Sequence, residues 1–241
     1  MTSLVIVTGA SRGLGRAIAQ QLHAAGDLVL GLSRQRPEAP FEQWACDLAD
    51  PLPVAQRLEA WLATLDAGAL RSATLVNNAA LVTDPQPLAD SDARALSAAV
   101  RVGLEAPLLL TSAFLRATRT WPARRRVLHI SSGLGRRGMA STGPYCAVKA
   151  GLDNLARAQA LEEALQPNGA KVCSLAPGVI DTDMQLQLRS ADPRGFPDVS
   201  AFVQMKHSGR LDSPAAAAAK VIAYLNRADF GTQPVGDVRD A

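Results

Sequence analysis

Three glycines between an apolar run and an amphipathic run, at the start of the chain, restrict its folding more than any other feature. Residues 3–7 read as a short buried strand and 12–25 as an amphipathic helix, with Gly9, Gly13 and Gly15 at the join. Glycine lets the backbone turn sharply and lets a phosphate come close, and the helix N-terminus adds free N–H groups and a partial positive charge. The alternation then repeats. Strand-like runs follow at 27–32, 42–45, 73–76, 127–130 and 170–175. Helical patterns fall at 53–65, at 90–120 with a break near 103–107, and at 145–165, and Ser213-Pro214 starts an alanine-rich helix as cap and first-turn pair. Such alternation predicts an α/β chain: a doubly wound parallel sheet of about seven strands with helices on both faces.

Length and composition bound the rest. The 241 residues suit one domain, 1–241, and 48% apolar with 20% charged residues is a globular balance. The longest apolar runs fall short of the roughly 18 residues that span a bilayer, so no membrane partner is expected. The N-terminus enters a strand pattern at once without a secretory pattern, which predicts a cytoplasmic protein. Cys46, Cys146 and Cys173 lack metal-ligand spacing, and His23 and His207 lack partners for a metal or a triad, so no metal is expected. Net charge is +3 and aromatic residues are 4%, against a nucleic-acid partner; Arg124-Arg-Arg126 beside Arg119 reads as a solvated loop.

A second informative stretch runs from Ser132 to Lys149. Tyr145 and Lys149 stand four apart at the head of a proline-free, Ala- and Leu-rich segment, so on a helix both project from one face. A free phenol, with a pKa of about 10, exchanges protons poorly at neutral pH, and a cation beside it favours the phenolate. Ser132 arrives from the end of the apolar run 127–130 and adds a hydroxyl that can grip a substrate oxygen. His129, alternating with Leu128 and Ile130, reads as a packed structural histidine.

The order of strand, serine, glycine-rich loop and Tyr-x3-Lys helix, with Thr8-Gly9-Ala-Ser-Arg-Gly13-Leu-Gly15 at the start, resembles the short-chain dehydrogenase/reductase family over nearly the whole chain. The resemblance implies a single Rossmann domain and reversible hydride transfer between a nicotinamide cofactor and a small carbonyl or alcohol. It implies Ser132, Tyr145 and Lys149 as catalytic residues: Tyr145 gives the proton, Ser132 holds the oxygen, and Lys149 lowers the Tyr145 pKa and contacts the ribose. Gly9, Ser11, Arg12, Gly13, Leu14 and Gly15 would wrap the cofactor phosphates. Asn77-Asn78-Ala79-Ala80 is similar to the family's Asn-Asn-Ala-Gly, with Asn77 tying the central strands and Asn78 and Ala79 along the ribose. Pro177, Gly178, Ile180 and Thr182 are similar to the Pro-Gly-x-Val-x-Thr segment that holds the carboxamide. Ser33 and Arg34 stand where an NAD-preferring protein offers a carboxylate, and with Arg12 they favour NADP(H) over NAD(H), the alternative being simply exposed arginines. Asp47 and Leu48 match the family's Asp-Leu pair against the adenine, though Asp47 also suits a turn or cap before Pro51.

Three places are less settled by the resemblance. Gly103 stands where many members carry an asparagine that holds a water beside the lysine, which leaves open a backbone-held water, another relay, or a cofactor-binding sensor or assembly protein with little turnover. The segment 184–210 reads either as a lid that brings Met184, Leu186, Phe196, Phe202 and Met205 over substrate, or as a surface excursion with its own packing cluster. Leu134 and Met139 are further candidate substrate contacts. The ending resembles the branch that contains sepiapterin reductase and bacterial benzil reductases, so Asp237 is either a substrate contact or a surface residue near the C-terminus. The resemblance also implies a homodimer or homotetramer through the helices after Gly103 and Pro144.

Overall fold

A computed structural model describes residues 2–240. Seven strands form one parallel sheet: β1 Thr2–Thr8, β2 Leu28–Ser33, β3 Glu42–Ala45, β4 Leu70–Asn77, β5 Arg124–Ile130, β6 Lys171–Ala176 and β7 Val235–Asp237. Their order is β3-β2-β1-β4-β5-β6-β7. The chain builds outward from β1 in one direction, then crosses back to β4 and builds in the other, so the strand order reverses beside β1 and opens a crevice at the C-terminal ends of β1 and β4.

Alternation along β1 makes both cores. Leu4 and Ile6 point to one face, where they meet Leu58 and Leu62 of α2 (Pro51–Leu62) and Leu110 and Phe114 of a later helix. Val5 and Val7 point to the other, against Ile18 and Leu22 of α1 (Gly13–Ala24) and Val221 of a C-terminal helix.

The expected break near 103–107 is not a break. Helix α3 (Ala93–Val100) continues through a π turn, Arg101–Glu105, into α4 (Ala106–Ala117). Pro107 has no N–H to give, and the wider turn just before it takes up the discontinuity. By length and composition the stretch Ala93–Ala117 is apolar enough to cross a bilayer, longer than the sequence runs suggested, and half of its apolar window is buried inside the protein.

Helix α5 (Gly143–Ala164) follows β5 and packs on the same face as α2 and α4 through Ala156. Two short helices, α6 (Asp183–Arg189) and α7 (Val199–His207), lie in the expected lid segment. Helix α8 (Pro214–Leu225) is capped as expected, with the Ser213 hydroxyl accepting from the Ala216 N–H at 3.1 Å.

Candidate active site

The glycine turn ends β1 and starts α1. Gly9 has φ +69°, and a Cβ there would lie 2.9 Å from Asn78 Nδ2, so only glycine brings the turn this close to the end of β4. Arg12 stands at the N-cap of α1 in extended conformation with no side-chain cap, and no acidic residue lies in the first turn. The opening N–H groups of a 12-residue helix are thus uncapped, at the end of a parallel strand beside the switch point. That arrangement fits a phosphate group. Residues 9–13 also spell Gly-x-Ser-x-Gly, the pattern of a hydrolase nucleophile. Among the described residues Ser11 makes no side-chain hydrogen bond to an imidazole, and His129 has both ring nitrogens engaged elsewhere.

Around this turn the structure supports some expected contacts and redirects others. Arg34 is exposed, with no acidic partner among the described residues, and fits a phosphate monoester. Ser33 is buried and its hydroxyl donates to the Gln35 carbonyl at 2.6 Å, so it is not free for a phosphate. Arg12 pairs with Asp183 of α6, two exposed side chains whose partnership sequence spacing does not reveal. Asp47 accepts from the Ala49 N–H at 3.0 Å, which realises its turn reading, and Leu48 is buried in the core beside α2. Asn77 donates to the Thr111 hydroxyl at 3.1 Å and faces His129 Nδ1 at 3.2 Å, tying β4 to α4 and β5. Asn78 spends its amide on the Thr8 carbonyl at 2.9 Å, and Thr8 Oγ1 accepts from the Asn78 and Ala79 N–H groups. On the far side Gly178 has φ +82°, and Ile180 pairs with Asp212 just before Thr182, with Pro177 buried behind them.

Ser132, Tyr145 and Lys149 come together where β5 ends and α5 begins. The Lys149 ammonium lies 5.5 Å from the centre of the Tyr145 ring, and the Ser132 hydroxyl sits beside the phenol. Ser132 Oγ also accepts from the Leu134 N–H at 3.2 Å, so the short turn after β5 orients it. Lys149 is buried and donates to the Ile130 carbonyl at 2.6 Å. Burial lowers its pKa to about 8, with the charge of Asp153 opposing.

In this structure burial and Ser132, rather than Lys149, act on the Tyr145 phenol. Burial pushes the phenol up to about 12, and the hydrogen bond with Ser132 works against it without reversing it. Part of the Tyr145 side chain remains open to solvent, which moderates the upward push but not its direction. Lys149 is turned to a backbone carbonyl, and the phenol is neutral through neutral pH.

Gly103 lies in the π turn, packed against α5. A Cβ there would stand 2.5 Å from Val148 Cγ1, so the space of a side chain at 103 is already filled by the residue before Lys149.

His129 is structural, as its alternation predicted: Nε2 donates to Gln159 Oε1 at 2.9 Å, Nδ1 accepts from Asn77, and burial lowers its pKa to about 4.

The lid segment takes its own packing cluster rather than a lining. Phe196 and Phe202 are buried against each other, ring centres 5.6 Å apart, with Leu188, Met139 and Met184 around them. Leu186 is 57% exposed. Asp237 is neither a surface residue nor free for substrate. It is 3% exposed, its carboxylate takes two hydrogen bonds from the Arg239 guanidinium at 2.8 and 2.5 Å, and Arg239 holds its pKa below the usual carboxylate range. Sequence reading missed the group beside it: buried Asp153, Ser131 and Ser174, with Arg136 between Asp153 and Asp237. The only signal was an Asp four residues after Lys149.

Comparison with known proteins agrees with this geometry. Residues 3–193 match the short chain dehydrogenase family. A Bacillus cereus benzil reductase of the (S)-benzoin-forming type is 32% identical over 97% of this chain and 97% of its own. Mouse sepiapterin reductase is 30% identical over 95% of this chain and 93% of its own. A solved Agrobacterium tumefaciens structure with bound NADP superposes with a TM-score of 0.79 at 25% identity, over 98% of this chain and 94% of that one.

Proposed function

Since the chain belongs to the short-chain dehydrogenase family of oxidoreductases, we propose that it is an NADPH-dependent reductase of small carbonyl compounds, with Ser132, Tyr145 and Lys149 as its catalytic residues. The glycine turn at Gly9, Gly13 and Gly15 would hold a nicotinamide cofactor, which would supply the hydride. The observation that carries the reading is the convergence of these three side chains at the end of β5, on the same rim of the sheet as the uncapped start of α1.

Each residue's part follows from its surroundings. A neutral phenol carries the proton that a carbonyl oxygen takes up as it is reduced. Ser132, oriented by the Leu134 N–H, can donate its own hydrogen to the carbonyl oxygen that Tyr145 protonates. Lys149 supplies positive charge next to an oxygen that gains negative charge as the bond order falls. In a buried site that charge acts through little screening. A preference for NADP(H) rests on Arg34, which faces solvent without an acid beside it, and needs Arg12 to leave Asp183 if it is to contribute.

The benzil and sepiapterin reductases among the relatives suggest an aromatic ketone or diketone as substrate. Association into a homodimer or homotetramer is supported by apolar side chains left open on α3, α4 and the C-terminal end of α5. These are Val100 and Leu108 at 44% exposure, and Leu161 and Leu165 at 73% and 83%.

The test follows NADPH absorbance with aromatic diketones, quinones, pterins and simple ketones, with Tyr145→Phe as control. Oxidation in the wild type that is lost in Tyr145→Phe, with cofactor affinity retained, supports the reading. Cofactor binding without turnover on any compound overturns it in favour of a sensor or assembly protein.

A further inference from the structure

Beneath the three catalytic side chains lies a buried carboxylate that the proposed reaction does not use. Asp153 is 2% exposed and one helical turn beyond Lys149 on α5. Its Oδ1 accepts from Ser131 Oγ at 2.6 Å and from Ser174 Oγ at 2.7 Å. Its Oδ2 has no hydrogen-bond partner among the described residues and faces Arg136 Nε at 3.8 Å. A buried carboxylate is costly unless its charge is matched, so its presence calls for a role.

Geometry supplies one. Ile130, Ser131 and Ser132 are consecutive at the end of β5. Lys149 takes hold of the first through its carbonyl, and Asp153 takes hold of the second through its hydroxyl. Two residues one turn apart on α5 thus fasten the strand end whose next residue is Ser132. Asp153 also fastens β6 through Ser174. Gly135 lets the turn after β5 close over this point, since a Cβ there would lie 2.8 Å from Asp153 Oδ2 and 3.0 Å from the Lys149 backbone.

The charges around Lys149 are few. Tyr145 and Asp153 of α5 and His129 of β5 act on it directly; Cys146 beside Tyr145, Arg136 and Cys173 beside Asp153, and Asp237 and Arg239 beyond Arg136 make up the next layer. Burial holds His129, Cys173 and Tyr145 uncharged through neutral pH. Arg136 lies between Asp153 and Asp237, donating to the Gly236 carbonyl at 2.5 Å, and Arg239 closes the row on Asp237. Asp153 is the acid whose charge acts on the ammonium.

We propose that Asp153 is a positioning residue of the active site, whose carboxylate fastens through Ser131 the strand end that carries Ser132 and that Lys149 grips through Ile130. The inference rests on the reductase reading for its consequence in catalysis, but not for its first measurement.

Lys149, Lys171, Lys206 and Lys220 are the chain's four lysines, so ε-carbon NMR of labelled lysine resolves Lys149 in the free protein, assigned with Lys149→Arg. In the wild type Lys149 is expected to titrate at about 8. In Asp153→Asn, which keeps an acceptor for the serine hydroxyls, its titration falls by about one pH unit or more, and the alkaline limb of the NADPH-dependent rate moves down with it. Ser174→Ala keeps the charge and leaves the titration in place. Should Asp153→Asn not fold, Arg136→Gln, at a partly exposed residue, removes the cation that shares Asp153 and raises the Lys149 titration by about half a pH unit. A Lys149 titration that stays put in Asp153→Asn, or in Arg136→Gln where that is the variant obtained, overturns the proposal. Absence of turnover on every carbonyl overturns the reductase reading instead, and the lysine titration still decides the role of Asp153.

Discussion

Filling the space at Gly103 should change sign with the residue opposite it. A Cβ at 103 would stand 2.5 Å from Val148 Cγ1, and ordinary contact begins near 3.4 Å, so about 1 Å must be absorbed somewhere. Val148 cannot easily give way. It is 4% exposed, and a β-branched side chain on a helix has one strongly preferred χ1. Gly103→Ala therefore overpacks the junction of the π turn with α5, at a cost of about 2 kcal/mol, offset by about 1 kcal/mol from replacing glycine in a helical segment. The net expectation is a loss of about 1 kcal/mol, or roughly 2–4 °C in Tm. In a Val148→Ala background, itself less stable by about 1–2 kcal/mol, the clash is gone and Gly103→Ala should gain about 1 kcal/mol. The coupling between the two sites is then about 2 kcal/mol, well above the few tenths expected of independent positions. Urea unfolding of the four proteins, followed by far-UV circular dichroism, completes the cycle. Additive effects within about 0.5 kcal/mol would show that Val148 is not what keeps position 103 empty.

Two further expectations come from charge. His129 is neutral when folded, with a pKa of about 4, and near 6.5 when unfolded. As pH falls below 6.5 the unfolded chain gains a proton that the folded one refuses, so stability drops until pH 4, by about 3 kcal/mol in all. The difference in urea stability between wild type and His129→Gln should follow that window; a difference independent of pH between 4 and 6.5 refutes the burial argument. Arg34→Ala should raise the KM for NADPH on the order of tenfold, the worth of one charge-assisted hydrogen bond, and leave that for NADH nearly unchanged. Equal effects on both cofactors would remove Arg34 from the 2′-phosphate.

What the sequence made legible is what local pattern encodes. Leu4 and Ile6 against Val5 and Val7 announce a strand buried on both faces, and both faces are filled as that alternation requires. The break read near Gly103 failed because glycine only weakens a helix, and Pro107 breaks one only where its missing N–H must be met by a regular bond, a condition the π turn just before it relaxes. In the segment 184–210 both readings of Phe196 and Phe202 stay open from sequence because a short amphipathic helix looks the same whether its apolar face covers a ligand or a neighbour. Asp237 and Arg136 lie 101 positions apart, and Arg12 and Asp183 171, and no local rule reports such pairs.

Asp153 was missed for a different reason. An acid four residues after a lysine on a helix is ordinarily a solvated i, i+4 pair worth a few tenths of a kcal/mol, and nothing in the spacing says otherwise. In this helix the same pair faces inward. Lys149, Asp153 and Gln159 are all buried, and each is met by a group from β5 or β6: a carbonyl of Ile130, the hydroxyls of Ser131 and Ser174, the ring of His129. Burying polar side chains costs free energy unless their partners are aligned, so these contacts specify the placement of α5 more narrowly than apolar packing does. A hydrophobic face can slide by a fraction of a turn and still be covered; a face of matched donors and acceptors cannot. The helix that carries Tyr145 is thus seated on its strands by polar contacts, which is why its catalytic face and its structural face are the same.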